Sequence, residues 1–230
     1  MEQRSNEWFD ARLGRFTGSE INKLMTGGRR DMTEAELIEA KANKIKRKTV
    51  DVMFGDTAIG YIEEKANDIV FGRDMDDSLV TFDMQRGIDL EPLAFRKVKE
   101  LKGKDFIEVS ECSFFVKGDN LGASPDGLVG EDSCLEIKCP RAKKFFKIVK
   151  NGASEIDPIY YDQMQTEMLV TNSTECCFFN YIVFNGKEMW HEMTVKRDEE
   201  RIAEIEIRVK AAAELRDKFV EELKANIQWS

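Results

Sequence analysis

The sequence predicts one α/β domain: a mixed β-sheet core flanked by helices, preceded by a helical N-terminal part. Three observations carry that reading. Helix caps and apolar residues at helical spacing dominate residues 1–105, alternation and turn signals take over in 106–197, and an apolar stripe of helical period fills 198–230. A length of 230 residues suits a single unit of those three parts, with an ample core.

Taken in order, Thr17-Gly18-Ser19-Glu20 reads as a capping box opening a short helix to about Met25. Thr33-Glu34-Ala35-Glu36 reads as another opening a helix to about Lys48, with Gly27-Gly28-Arg29-Arg30 as the loop between them. Residues 50–70 place Val52, Ile59, Ile62, Ala66 and Ile69 at helical spacing, and a polar loop is expected at about 72–82. A further helix carries Leu90, Leu93, Ala94, Val98 and Leu101, with Pro92 in its first turn or kinking it. Phe106–Lys117 alternates, Gly118-Asp119-Asn120 is a turn, and Ala123–Val129 and Cys134–Cys139 read as successive strands. Asp157-Pro158 caps and opens a helix to about Thr171. Asn185-Gly186 joins strands at Cys176–Phe184 and Glu188–Val195 in a hairpin. From about Asp198 the last helix carries Ile202, Ile205, Val209, Ala212, Phe219 and Leu223 on one stripe.

Composition removes several function classes. No long apolar run exists, so no membrane span is expected, and the start Met1-Glu2-Gln3-Arg4-Ser5 lacks an apolar signal core, which predicts a cytoplasmic protein. Cys112, Cys134, Cys139, Cys176 and Cys177 show no Cys-x-x-Cys spacing; buried free thiols are expected rather than zinc or iron–sulfur ligands. The one histidine, His191, excludes chemistry built on two histidines and reads as a strand residue. A net charge of −9 argues against a nucleic-acid partner, but the distribution points the other way. Lys138, Arg141, Lys143, Lys144, Lys147 and Lys150 follow one another with no acid among them, and smaller basic clusters lie at Lys41–Lys48 and Arg96–Lys104. The acidic excess sits at Asp74–Asp77 and Asp198–Glu222. A charge run is usually a solvated face; this one begins where a phosphate-tracking groove needs it.

That place is the pair of segments Ser124-Pro125-Asp126-Gly127 and Glu136-Ile137-Lys138-Cys139-Pro140. On a strand, Glu136 and Lys138 share one face and Ile137 takes the other; a preceding turn can bring Asp126 beside them. Two close carboxylates repel unless a cation joins them, and their oxygens suit a hard ion such as Mg²⁺. A lysine there can orient or deprotonate a metal-bound water, which completes the equipment for metal-assisted phosphodiester hydrolysis. Ser-Pro-Asp-Gly is equally a good type I turn, and Glu-Ile-Lys equally a half-exposed strand. The context has to decide.

Five blocks in order supply it: Arg12-Leu13-Gly14…Thr17-Gly18-Ser19; Arg86-Gly87…Leu90-Glu91-Pro92; Ala123–Leu128; Glu136–Pro140; and Tyr160–Gln165. Together they resemble the lambda-type phage exonucleases, the viral recombinase branch of the restriction-endonuclease-like PD-(D/E)xK nucleases, over most of the chain. The resemblance implies a restriction-endonuclease-like sheet core within a single nuclease domain. It implies Asp126, Glu136 and the Ile137 carbonyl as ligands of Mg²⁺, with Mn²⁺ substituting, and Lys138 as the residue that positions the attacking water. It further implies Glu91 as an additional acidic residue, Gln163 at the nucleophile or scissile phosphate, and Tyr160 in support. Arg12, Ser19 and Ser124 resemble a 5′-terminal phosphate pocket, which a guanidinium fork and hydroxyls suit. By themselves these three are a helix-surface arginine, a helix-start serine and a turn serine. Gly18 reads as a small neighbour of Ser19. Leu79 or Val80 is a guess at a strand-separating wedge, and Arg29 or Arg30 at a DNA-groove contact.

The implied activity is Mg²⁺-dependent 5′→3′ exonucleolysis of one strand of linear double-stranded DNA, for phage-type homologous recombination. The implied partners are double-stranded DNA ends, a single-strand annealing protein and two further copies in a ring-shaped homotrimer. An endonuclease of the same superfamily, acting on internal or structured DNA, shares the core motif. A DNA-binding protein whose turn and strand imitate a metal site is the non-enzymatic alternative.

Overall fold

The computed structural model describes residues 5–72, 81–107 and 114–228, the side chains of Asp83, Phe106 and Ile107 excepted. The expectations on Asp74–Asp77, Leu79, Val80 and Cys112 lie outside the described residues.

The chain runs α1 (Asn6–Arg12), β1 (Phe16–Thr17), a 3₁₀ turn (Gly18–Glu20), α2 (Ile21–Leu24), β2 (Gly28–Asp31), α3 (Glu34–Ala42), β3 (Thr49–Val52) and α4 (Asp56–Phe71). It continues through α5 (Phe82–Lys102), β4 (Phe106–Ile107), β5 (Phe115–Lys117), β6 (Leu121–Ala123), β7 (Gly127–Val129) and β8 (Ser133–Lys138). Helices α6 (Ala142–Asn151) and α7 (Pro158–Thr171), strands β9 (Glu175–Phe184) and β10 (Lys187–Lys196), and α8 (Glu199–Asn226) complete it.

The main sheet is mixed, in the order β10-β9-β8-β7-β4. Its one parallel pair, β8 and β9, sets Glu136 opposite Phe178 and Lys138 opposite Asn180. A parallel neighbour demands a crossover, and α6 and α7 supply it. The pleat then sorts side chains between two helices. Leu135, Ile137, Cys177, Phe179 and Tyr181 pack against Ala94 and Val98 of α5. Cys134, Cys176 and Phe178 pack against Met164 and Met168 of α7. Glu136, two residues past Cys134, therefore faces α7. A third cluster joins α2, α4 and α8 to Phe16 of β1 and Leu121 of β6, within a separate three-stranded sheet of order β1-β6-β5.

Helix α7 is buried along almost its whole middle, polar residues included: Asp162, Gln163, Gln165, Thr166 and Glu167 are all withdrawn from solvent. Burial of this kind requires partners. Arg201 grips Asp162 with two nitrogens at 2.7 and 2.9 Å. Gln165 donates to the Lys196 carbonyl and accepts from the Asp198 backbone N–H, at 3.0 and 2.8 Å. These bonds tie α7 to the entry of α8 and leave Gln163 and Glu167 for the opposite side.

Several expectations need correction. Thr17 caps nothing: it lies in β1, where its backbone N–H donates to the Tyr61 hydroxyl at 3.0 Å, and the turn after it is 3₁₀ before it is α. Gly28–Asp31 is a strand rather than a loop, paired antiparallel with Thr49–Val52, so the second helix stops at Ala42 and the next begins at Asp56. Pro92 is interior to α5, which starts ten residues earlier at a Thr81 cap. The described residues of Phe106–Lys117 form strands in two different sheets. Ala123–Val129 is interrupted at Ser124-Pro125-Asp126, which puts Asp126 at the head of β7. Gly18 is constrained: a Cβ there would stand 2.8 Å from the Ala123 Cβ.

Candidate active site

Strands β7 and β8 form a hairpin, and Asp126 sits at its open end. Its backbone N–H donates to the Leu135 carbonyl at 2.9 Å. Its Oδ2 accepts from the Ile137 N–H at 2.7 Å. The turn carboxylate is thus fixed by backbone to the residue between Glu136 and Lys138, as the spacing required. Glu136 is buried and ion-pairs through Oε1 with the Lys138 ammonium. Lys138 also donates to Gln163 Oε1 at 3.3 Å and lies 4.7 Å from the Tyr160 ring centroid.

Helix α7 closes this network. Gln163 Nε2 donates to Glu136 Oε1 at 2.9 Å and to Glu167 Oε1 at 2.8 Å. Glu167 is a residue the sequence reading missed. Its signal was available: it stands four positions after Gln163, on the same helical face.

A cavity of about 520 Å³ gathers the rest. Asp126, Glu136, Ile137, Lys138, Gln163 and Glu91 line it together with Arg12, Ser19 and Ser124. Of the residues expected at the catalytic centre, Tyr160 is absent from its wall; it flanks Lys138 instead. Within the basic run, Lys138 alone reaches the cavity; Lys143, Lys144, Lys147 and Lys150 ride on α6. Arg29 and Arg30 stay outside it, ion-paired to Asp51 and Glu36. The N-terminal wall has an organiser that the motifs did not reveal. Trp8 donates its indole N–H to Ser124 Oγ at 3.1 Å, and its ring lies 4.1 Å beneath the Arg12 guanidinium. On the other wall Arg86 donates to the Cys139 and Pro140 carbonyls, fastening α5, and with it Glu91, to the end of β8.

The electrostatics are those of a carboxylate surplus. Burial, and then the Glu136 charge, push the Asp126 carboxyl well above its ordinary range. Burial and Glu136 do the same to Glu167. Burial works to lower Lys138, but Glu136 and Asp126 outweigh it and hold the ammonium above its usual value. Glu136 Oε2, buried, takes no hydrogen bond among the described residues. Hard oxygens, excess negative charge and a free buried lone pair fit a hard divalent cation at Asp126 and Glu136. A second set, Cys134, Cys176 and Glu167, holds ligand atoms within 4.8 Å of one another. Its sulfurs suit a thiophilic ion rather than Mg²⁺, and burial pushes the Cys176 thiol well up.

Residues 7–174 match the YqaJ-like viral recombinase domain. The fold is similar to the crystal structure of an alkaline exonuclease from Laribacter hongkongensis, at 28% identity and a TM-score of 0.73, over 96% of this chain and 97% of that one. A structure of that enzyme with dAMP matches over the same shares at 29% identity and the same TM-score. A phage-related exonuclease from Haemophilus somnus 129PT, at 16% identity and a TM-score of 0.63 over 91% and 96% of the chains, shares the fold. No curated protein matches the chain. No described helix is long and apolar enough to cross a membrane.

Proposed function

The chain belongs to the YqaJ-like viral recombinase domain family, and from that premise we propose that it is a Mg²⁺-dependent 5′→3′ exonuclease degrading one strand of linear double-stranded DNA during phage-type recombination. The observation that carries this is the single cavity that joins Asp126, Glu136 and Lys138 to Arg12, Ser19 and Ser124. A hydrolytic centre and an end-recognition pocket then share one wall-to-wall space. The likeness to an alkaline exonuclease across nearly the whole of both chains supports the same reading.

Asp126, Glu136 and the Ile137 carbonyl are the groups that would hold Mg²⁺, with Mn²⁺ as a substitute. Bound there, the cation supplies charge to ease deprotonation of the nucleophile and to stabilise the oxygens of an in-line displacement. Lys138 stays protonated under its two carboxylates, so it orients the attacking water by donating hydrogen bonds and does not abstract its proton. Gln163, fixed through Nε2, presents Oε1 beside the Lys138 ammonium, and the Tyr160 ring supports that ammonium through a cation–π contact. Glu91 adds a further acid at the wall. Arg12, held over the Trp8 ring, would take a terminal 5′-phosphate as a guanidinium fork, with the Ser19 and Ser124 hydroxyls donating to it. A homotrimeric ring and a single-strand annealing partner complete the proposal.

The test compares linear duplex carrying 5′-phosphate or 5′-hydroxyl ends with covalently closed circular DNA, each with Mg²⁺ and with EDTA. Rapid Mg²⁺-dependent release of nucleotides from phosphorylated ends is expected, with slower release from hydroxyl ends and an intact circle. Cleavage of the circle would establish an endonuclease, and equal rates on both ends would remove the phosphate pocket.

A further inference from the structure

Glu167 is buried beside Cys134 and Cys176, which belong to the same apolar cluster as Met164 and Met168 of its own helix, and there an apolar side chain would be less costly. It is absent from the cavity wall, so it would touch neither a substrate there nor a cation held by Asp126 and Glu136. Its Oε2 takes no hydrogen bond among the described residues, while its Oε1 accepts from Gln163 Nε2 at 2.8 Å. Its donor among the described residues is Gln163 Nε2, and the charge that acts on it most strongly is the Glu136 carboxylate; a buried carboxyl so placed points to a task at that donor.

The partner's geometry names the task. A glutamine amide has a donor end and an acceptor end, and packing alone barely distinguishes them. Here the nitrogen faces two carboxylates, Glu136 at 2.9 Å and Glu167 at 2.8 Å, and the oxygen faces the Lys138 ammonium at 3.3 Å. Turning the amide over would set its oxygen against both acids and its NH₂ against the cation. Glu136 by itself is a poor anchor for this, because the Oε1 it offers Gln163 is shared with the Lys138 ammonium and the same carboxylate would have to serve the cation through Oε2. Glu167, one helical turn deeper and outside the cavity, keeps its hold whatever Glu136 is doing.

We propose that Glu167 is a positioning residue that locks the Gln163 amide with its oxygen toward Lys138, so that the ammonium stays aimed at the attacking water. This rests on the nuclease reading above. Glu167→Met fits the sulfur-rich surroundings and removes the acceptor; Glu167→Gln restores one. On 5′-phosphorylated linear duplex, Glu167→Met should lower kcat about 10–100-fold, the usual cost of losing an orienting partner behind a site residue. KM and the preference for phosphorylated ends should stay within about twofold, since no binding contact is lost. The melting temperature should not fall, because a buried carboxyl is exchanged for an apolar chain of similar size. Glu167→Gln should recover most of the rate. In a Gln163→Ala background, adding Glu167→Met should cost nothing further. A kcat for Glu167→Met within about twofold of wild type overturns the proposal. So does a loss that tracks a fall in melting temperature, or a full additional loss in the Gln163→Ala background. If the wild type itself shows no nuclease activity, the Gln163 side-chain NH₂ resonances still decide. Protection from exchange in wild type and Glu167→Gln, lost in Glu167→Met, supports the lock; equal exchange in all three refutes it.

Discussion

The two walls of the cavity are built on different principles. The floor stands on a strand paired on both sides, and its carboxylates and lysine are braced by backbone and by a buried helix. The N-terminal wall is α1, a seven-residue helix with no buried residue, tied to the site by the Trp8–Ser124 hydrogen bond and the stacked Arg12. Like charges forced together need a rigid frame, since relaxation by a fraction of an ångström would dissipate the field that a cation there would need. A terminal phosphate is a strong, accessible anion, and a few exposed donors on a surface helix suffice for it. Substitution should therefore separate the walls: floor variants lose the reaction, rim variants lose the choice of end.

The sharpest separation is expected at the floor. Lys138→Ala or Glu136→Gln should reduce kcat by about 10²–10³-fold or more, the scale of removing one preorganised electrostatic group, with the fold intact by circular dichroism. Activity surviving either change would dissolve the distinction between the walls. Metal linkage comes next. Mg²⁺ at about 100 times its dissociation constant should add roughly 2.7 kcal/mol of stability, read as a rise in melting temperature of about 2–4 °C per kcal/mol. Asp126→Asn should abolish that rise and Arg12→Ala should retain it; a rise of equal size in both would place the cation elsewhere.

At the rim, Arg12→Ala should weaken use of 5′-phosphorylated ends by about 10–100-fold in kcat/KM, the worth of a hydrogen bond to a charged group. The rate on hydroxyl ends should hardly change. Trp8→Phe keeps a ring under Arg12 and deletes the indole donor to Ser124. It should cost less, about threefold to tenfold, as a neutral hydrogen bond does. A larger effect from Trp8→Phe than from Arg12→Ala would mean that Ser124, rather than the guanidinium, carries the phosphate.

The same contrast decided what the sequence could reveal. The helix at Asp157-Pro158, the hairpin at Asn185-Gly186 and the long C-terminal helix are written in local chemistry, and they lie where expected. Asn185 and Gly186 both adopt the positive φ that a two-residue hairpin turn needs. The proximity of Glu136 and Lys138 was legible because their spacing along one strand is also their spacing in space, and the hairpin returns Asp126 beside them. Strand β2 was not legible, because its partner lies about twenty residues away and Gly-Gly-Arg-Arg has little strand propensity of its own. Pro92 misled for the converse reason: packing of α5 against the sheet overrides the local penalty. Trp8 escaped notice since its partner Ser124 is 116 residues distant and only the fold introduces them.

The smallest effect is expected farthest from both walls, at the start of α3. Arg30 holds Glu36 with two nitrogens at 2.8 and 2.7 Å, and Glu36 closes the capping box by accepting from the Thr33 N–H at 2.8 Å. Those partners, Arg30 first, hold the carboxyl down to about 2 from an ordinary value of 4.5. A carboxyl depressed in the folded state stabilises it above its unfolded pKa, and that contribution is lost as pH falls toward the folded value. Glu36→Gln should therefore melt slightly below wild type at pH 7, and the gap should close between pH 4.5 and about 2. Exposure keeps the gap small, and added salt should shrink it. Neither end preference nor kcat should move, because Arg30 is outside the cavity. A gap that persists at pH 2 would show that the side chain's shape, not its charge, supports the cap. A change in nuclease rate would instead connect the β2–β3 ribbon to the substrate and add a third wall to the comparison.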